Sequence, residues 1–219
     1  MSPRRAGRPW GMGRVTCNMS ISLDGFVAGP GQSLETPLGE GGECLHEWMF
    51  ATGTWRGDAD APRTVDDDEM ERIVAGNGAF IMGRNMFGPI RGQWTGDWRG
   101  WWGEEPPYRA PVFVLTHHPR EPLEMKGGTT FHFVTDGIEA ALERARAAAG
   151  DLDVAIAGGA QTARQYLRAG LIDELTLHIS PVVLGAGERL LEDVGDLRLE
   201  PISATHSPRT THVRYRVLR

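Results

Sequence analysis

The stretch Val154–Arg168, VAIAGGAQTARQYLR, constrains this chain more than any other. Val154, Ala155, Ile156 and Ala157 form a short apolar run of the length of a buried strand. Gly158 and Gly159 break it, and Ala163, Tyr166 and Leu167 then recur at helical spacing. Strand, glycine pair and helix in that order can hold a phosphate. Glycine has no Cβ, so the backbone can approach an anion closely. The first N–H groups of the helix, from Ala160 to Thr162, have no intrahelical acceptor and are available to it. The same pattern also fits a tight turn with no ligand, because the fingerprint G-x-G-x-x-G is absent.

The rest of the chain must supply a sheet for that strand to join. With 219 residues, 40% of them hydrophobic, there is material for one domain with a sizeable core. We expect residues 1–13 to be a flexible N-terminal extension and residues 14–219 a single domain. That basic N-terminus has no apolar h-region and does not read as a secretory signal. The net charge of −6 argues against a broad basic surface for nucleic acid. No apolar run approaches the ~18 residues of a membrane span. The two cysteines, Cys17 and Cys44, make no disulfide framework, which fits a cytoplasmic protein.

From Arg14 to Leu23, Val15, Cys17, Met19 and Ile21 alternate with polar residues, a strand signal. Asp24-Gly25 turns the chain, Phe26-Val27-Ala28 resumes it, and a glycine-rich loop follows to Glu43. Leu45, Trp48 and Met49 share one helical face, so the spacing predicts an amphipathic helix over Cys44–Trp55. Thr64 is placed to cap a second helix with Asp66, Asp67 and Asp68 in its first turn, where carboxylates suit the helix dipole. Apolar strands are expected over Ala79–Gly83, Pro111–Thr116 and Thr130–Thr135, and a surface helix over Ile138–Ala149. Past the opening stretch come strands over Ile172–Val183, Leu197–Ala204 and Thr211–Leu218. Alternating strands and helices imply a mainly parallel twisted sheet with helices on both faces; the last strands, without helices, imply an antiparallel C-terminal edge. Trp94, Trp98, Trp101 and Trp102 form an aromatic segment that either plugs a core edge, forms an oligomer contact or covers a planar ligand.

Four blocks carry a resemblance. MSISLDGFVAG (Met19–Gly29), IMGRNMF (Ile81–Phe87), VFVLTHHP (Val112–Pro119) and IAGGAQTARQYLRAGLIDELTLHISPVVLG (Ile156–Gly185) resemble blocks of the dihydrofolate reductase-like superfamily. The nearest branch contains the C-terminal reductase domain of the bifunctional riboflavin-biosynthesis deaminase-reductase. The match runs over nearly the whole chain from Arg14 onwards.

The resemblance implies an NADPH-dependent reductase of a small heterocycle, pterin-like or riboflavin-precursor-like. A binding protein of the same fold without catalysis is the alternative. Gly83, Arg84 and Asn85 would meet the cofactor's phosphates, Arg84 through a charge-assisted contact. Thr116, His117 and His118 would face the adenosine phosphate. Gly158, Gly159, Ala160, Gln161 and Thr162 would cradle the diphosphate. Ser20, Val27 and Ala28 match positions beside the nicotinamide. Gln161 is neutral where several relatives carry a base, so a preference for NADPH over NADH rests on Arg84 and the two histidines. The acid of the reaction is Asp24 or Glu47, each with a plain structural alternative: Asp24 as a turn former, Glu47 as a solvated helix charge. Ser22, Trp48 and Phe50 are the candidates for the substrate side. The related reductase domains imply a homodimer. Metal chemistry finds no motif among the seven histidines, and no nucleophile signature is present.

Overall fold

The computed structural model of the protein describes residues 13–218. The extension expected at residues 1–13 lies, except for Gly13, outside the described residues. The strands are β1 (Val15–Ser22), β2 (Phe26–Ala28), β3 (Asn77–Gly83), β4 (Pro111–Leu115), β5 (Leu123–Glu124), β6 (Thr130–Val134), β7 (Asp153–Gly158), β8 (Glu174–Ser180), β9 (Glu188–Arg189), β10 (Arg198–His206) and β11 (Thr211–Leu218). The α-helices are α1 (Glu47–Phe50), α2 (Gly53–Arg56), α3 (Val65–Val74), α4 (Arg84–Phe87), α5 (Gly137–Ala149) and α6 (Ala160–Arg168).

One sheet takes the order β10-β11-β8-β1-β7-β3-β4-β6-β5, and β2 and β9 form a small antiparallel pair beside it. The six strands β8, β1, β7, β3, β4 and β6 run parallel to one another. β11 and β10 add the antiparallel C-terminal edge, and β5 closes the other end. The expected fold class is therefore the observed one.

Alternation along β1 sends Val15, Cys17, Met19 and Ile21 to one face, where they join Ile156, Leu175 and the apolar sides of α5 and α6 in the larger core. Tyr166 of α6 is buried there, and its hydroxyl donates to the Ile138 carbonyl of α5 at 2.7 Å. The opposite face is divided. Over β3, β4 and β6 lies a second core built from Phe80, Met82, Phe87, Val112, Val114 and Phe131, with Trp94, Trp98 and Trp102 packed against it. The indole N–H groups of Trp94, Trp98 and Trp101 donate to the carbonyls of His118, Phe87 and Met86 at 2.8, 2.8 and 3.0 Å. The tryptophan segment thus plugs a core edge, with its polar tips satisfied by backbone. Over β8, β1 and β11 the same face is polar, and Ser20, His178 and His212 stand in one cross-strand row.

The helix expected over Cys44–Trp55 is broken. A 3-10 turn (Gly42–His46) runs into α1, and Thr52 starts α2 afresh by accepting a hydrogen bond from Trp55 N at 3.1 Å. A capping hydroxyl at Thr52 offers the chain a local alternative to continuing the first helix. The start at Thr64 is as expected: Thr64 and Asp67 form a reciprocal capping box.

Candidate active site

The carboxyl ends of β1, β7, β3 and β4 lie side by side. The chain returns from β6 through α5 to insert β7 between β1 and β3, then crosses through α6 to β8 on the far side of β1. Open α/β sheets bind ligands at such a reversal of strand order. Gly158 ends β7 at φ +121°, a conformation that L side chains rarely adopt, and is joined to Gly159 by a cis peptide. A Cβ on Gly159 would meet nothing within 4 Å, so the backbone here borders open space. Gly159 is also the N-cap of α6 and gives that helix no side-chain cap. Thr162 and Ala160 of the first turn are buried, and Gln161 is exposed.

Gly83 brings the end of β3 against this turn, since a Cβ there would stand 2.4 Å from Thr162 Oγ1. Arg84 follows. Its Nε and Nη2, and the neighbouring Asn85 Oδ1, are buried without a hydrogen-bond partner among the described residues. Asn85 Nδ2 donates to Gln32 Oε1 in the glycine-rich loop at 3.1 Å. The Arg84 guanidinium carbon lies 3.8 Å from the centroid of the Trp94 ring, and that of Arg120 lies 5.1 Å from it. Burial lowers the pKa of Arg84, and the charges of Arg91 and Arg120 lower it further. Arg84, Arg91 and Arg120 gather positive charge here, which Asp97 offsets in part at Arg120, and the balance favours an anionic ligand. Thr116 Oγ1 accepts from His118 N at 3.2 Å and closes the end of β4, with His117 exposed beside it. Orphaned guanidinium donors, an uncapped helix start and space beside Gly159 fit a dinucleotide phosphate.

On the β1 side, Ser20 Oγ accepts from Trp48 Nε1 at 3.0 Å. Trp48 is almost wholly buried, so it is a covering residue and not an open pocket wall. Val27 and Ala28 are buried in β2. Phe50 is 38% exposed and packs on Trp55.

Asp24 stands differently from a proton donor. Its carboxylate accepts from Ser22 Oγ at 2.6 Å, Gly185 N at 2.7 Å and Leu184 N at 3.1 Å. These bonds, that of Ser22 foremost, hold its pKa down to about 2. It is a turn former that ties the β1–β2 turn to the loop after β8, and it stays ionised near neutral pH. Ser22 is spent on the same turn: its hydroxyl also accepts from Phe26 N at 2.9 Å. Glu47 is exposed at the start of α1.

Two features escape a reading by motifs. Arg120 reaches Trp94 only because the tryptophan segment folds back over β4 and β6; the one local hint is a cation just past THHP. The other is a buried contact of His212 with both His178 and Asp66, at 2.7 and 2.9 Å. Among the described residues no group of three or more histidine, cysteine, aspartate or glutamate side chains is placed to hold a metal ion.

The fold defines a dihydrofolate reductase-like α/β protein, with the candidate site at the carboxyl ends of β1, β7, β3 and β4. The sequence model of the RibD C-terminal domain matches residues 14–213, and the chain belongs to that family. A putative riboflavin biosynthesis protein from Shewanella sp. PV-4 superposes with a TM-score of 0.63 at 20% identity, over 94% of this chain and 99% of that one. Dihydrofolate reductase from Enterococcus faecalis, complexed with NADP(H), superposes with a TM-score of 0.56 at 14% identity, over 94% and 97%. A diaminohydroxyphosphoribosylaminopyrimidine deaminase/5-amino-6-(5-phosphoribosylamino)uracil reductase from Thermotoga maritima gives a TM-score of 0.55 at 15% identity, over 94% of this chain and 57% of that one. At such identities these likenesses establish the fold. No curated protein matches the chain.

Proposed function

We propose that the chain, as a single domain over residues 14–219, is an NADPH-dependent reductase of a small heterocycle, pterin-like or riboflavin-precursor-like. The observation that carries the reading is the set of unsatisfied buried groups at one sheet end: Arg84 Nε and Nη2 and Asn85 Oδ1, at the β3 terminus that touches the start of α6. A buried charged donor left unpaired is costly, and an anionic phosphate satisfies it. Family membership and the named activities of the neighbours support the same reading.

Arg84, with Arg120 beside it on Trp94, would hold the 2′-phosphate of the adenosine end, near Thr116, His117 and His118. Gly158, Gly159 and the first amides of α6 would hold the diphosphate. Ser20, Val27 and Ala28 would border the nicotinamide. When bound, the cofactor supplies a hydride. The chain's own task is to orient an electrophilic carbon beside it, exclude water and deliver one proton. In this reading the protein acts on a small molecule, with no nucleic-acid or membrane partner; its net charge of −6 speaks against a nucleic-acid partner. The unpaired Cys17 and Cys44 fit a cytoplasmic location. A homodimer through the C-terminal strands completes the proposal.

The test is direct binding of NADPH together with its oxidation, followed by absorbance, against dihydrofolate and 5-amino-6-(5-phosphoribosylamino)uracil. Turnover of either supports the reductase. Tight NADPH binding with no turnover favours a binding protein that keeps the fold without the chemistry. Failure to bind NADPH removes the reading.

A further inference from the structure

Asp66 of α3, His212 of β11 and His178 of β8 form one buried chain. His212 Nε2 meets Asp66 Oδ1 at 2.9 Å, and the two Nδ1 atoms of His212 and His178 meet at 2.7 Å. The three residues are 5%, 2% and 1% exposed. Trp48 packs on both rings, its centroid 4.7 Å from that of His178 and 5.0 Å from that of His212. Its Nε1 donates to Ser20 Oγ, and Ser20 is the register partner of His178 on β1. Yet His178 Nε2 is buried with no hydrogen-bond partner among the described residues, as is His46 Nδ1 in the turn before α1.

The hydrogen bonds dictate the tautomers. An ionised carboxylate only accepts, so His212 Nε2 carries the proton it donates to Asp66. Neutral His212 then has a bare Nδ1, which accepts from His178 Nδ1–H. His178 Nε2 is left as a lone pair with no donor. Native structures seldom leave a buried polar atom unpaired without a use. One added proton reverses the chain. His212 becomes an imidazolium against Asp66, its Nδ1–H donates to His178 Nδ1, and His178 Nε2 carries a hydrogen. The charge thus rests beside a carboxylate and not on His178. Burial above all, with the charges of His212, His46 and Arg72, holds the pKa of His178 itself down to about 3. Arg72 is itself paired with the buried Glu69 one turn earlier on α3.

We propose that His178 Nε2 delivers the proton of the reduction, with His212 and Asp66 as positioning residues that hold that proton in store. This rests on the reductase reading above. As the substrate carbon of a C=N or C=O bond receives a hydride, its π pair moves to the nitrogen or oxygen. That atom takes the hydrogen from His178 Nε2. His178 Nδ1 takes the hydrogen of His212 Nδ1, and His212 is left neutral, still donating Nε2–H to Asp66. Trp48 covers the rings, held to β1 through Ser20, so substrate reaches the Nε2 edge only if that indole turns aside. Neither carboxylate singled out in the sequence has this arrangement: Asp24 is tied into its turn, and Glu47 faces solvent.

Nitrogen-resolved histidine NMR on the ligand-free protein reads the tautomers without any turnover. At about pH 7.5 the expected pattern is a bare Nε2 and protonated Nδ1 on His178, with a protonated Nε2 on His212. His178→Asn keeps a donor near the position of Nδ1 and removes Nε2. It is expected to bind NADPH as the wild type does and to lose about 10²-fold in turnover. Asp66→Asn replaces the acceptor-only carboxylate that fixes His212 Nε2–H, so the nitrogen signals of both histidines and the pH profile of turnover should change together. A merely structural role would leave the tautomers and that profile in place. A protonated Nε2 on His178 together with a bare Nε2 on His212 overturns the proposal, and so does a His178→Asn enzyme within twofold of the wild-type rate. Wild-type protein that binds NADPH and turns over neither test substrate overturns the reductase reading and the proton donor with it. Turnover unaffected by His178→Asn overturns the donor alone.

Discussion

Gly83, the last residue of β3, lies so close to Thr162 in the first turn of α6 that a Cβ on the glycine would stand 2.4 Å from the threonine hydroxyl. That contact joins two of the four family blocks across 79 positions of sequence. The backbone of Gly83 is extended at φ −80°, so only the clash forbids a side chain there. Gly83→Ala should destabilise the protein by about 1–3 kcal/mol, the usual cost of overpacking. Thr162→Ala in the same chain should restore most of the loss. Denaturation midpoints of the two single variants and the double variant measure the coupling, and strictly additive losses would refute the contact.

Arg84→Ala should weaken NADPH more than NADH, by about 1.5–3 kcal/mol for a lost charge-assisted bond. Arg120→Ala should act in the same direction and by less, because its guanidinium lies farther from Trp94. Titration of each variant with both cofactors is the measurement. Equal losses for the two cofactors would remove these residues from the 2′-phosphate.

Gly159→Val separates fold from ligand. The residue sits at φ −73°, which valine adopts, and its Cβ position borders open space. The variant should unfold at the wild-type midpoint while losing affinity for NADPH and NADH alike. Wild-type binding by a folded variant would contradict the phosphate cradle.

Asp24→Asn should leave NADPH oxidation nearly unchanged and alter stability against pH. The folded pKa of about 2 lies below the ordinary value of 3.8, so the carboxylate's contribution is present above that ordinary value and disappears as pH falls through about 2. Urea unfolding at neutral pH and at about pH 3 tests this: wild type should exceed the variant at the first and converge towards it at the second. A large loss of turnover at full NADPH affinity would return Asp24 to the chemistry.

A homodimer should show about twice the chain mass in solution scattering at micromolar protein. β10 offers a mostly exposed outer strand for it, with Leu199 and Ile202 half-buried. Charge reversal on that strand should halve the mass, and a single-chain mass for the wild type would refute the assembly.

Local signals in the sequence carried far. The alternation of Val15 to Ile21, the apolar run of Val154–Ala157 followed by Gly158-Gly159, and the Thr64 cap each act within a few residues, and each appears where expected. The four family blocks were enough for the fold class. The helix over Cys44–Trp55 was not legible, because its apolar spacing survives a break that the Thr52 hydroxyl makes by its own hydrogen bond. Nor could the sequence tell whether the tryptophans plug or cover: their indole N–H groups find carbonyls at Met86, Phe87 and His118, which only a packed sheet brings within reach.

By itself, then, the sequence determined what depends on neighbouring residues: the strands, the caps, the glycine pair and the blocks that mark the family. The tertiary structure decided what depends on register. Ser20, His178 and His212 lie in three separate strands, and they form one polar row because burial of Cys17, Leu177 and their neighbours on the opposite face selects a single pairing. Asp66 meets that row only when α3 closes over it. Hydrophobic burial thus places these polar groups where neither spacing nor motif relates them, and in that low-dielectric setting their hydrogen bonds settle which nitrogen carries a proton.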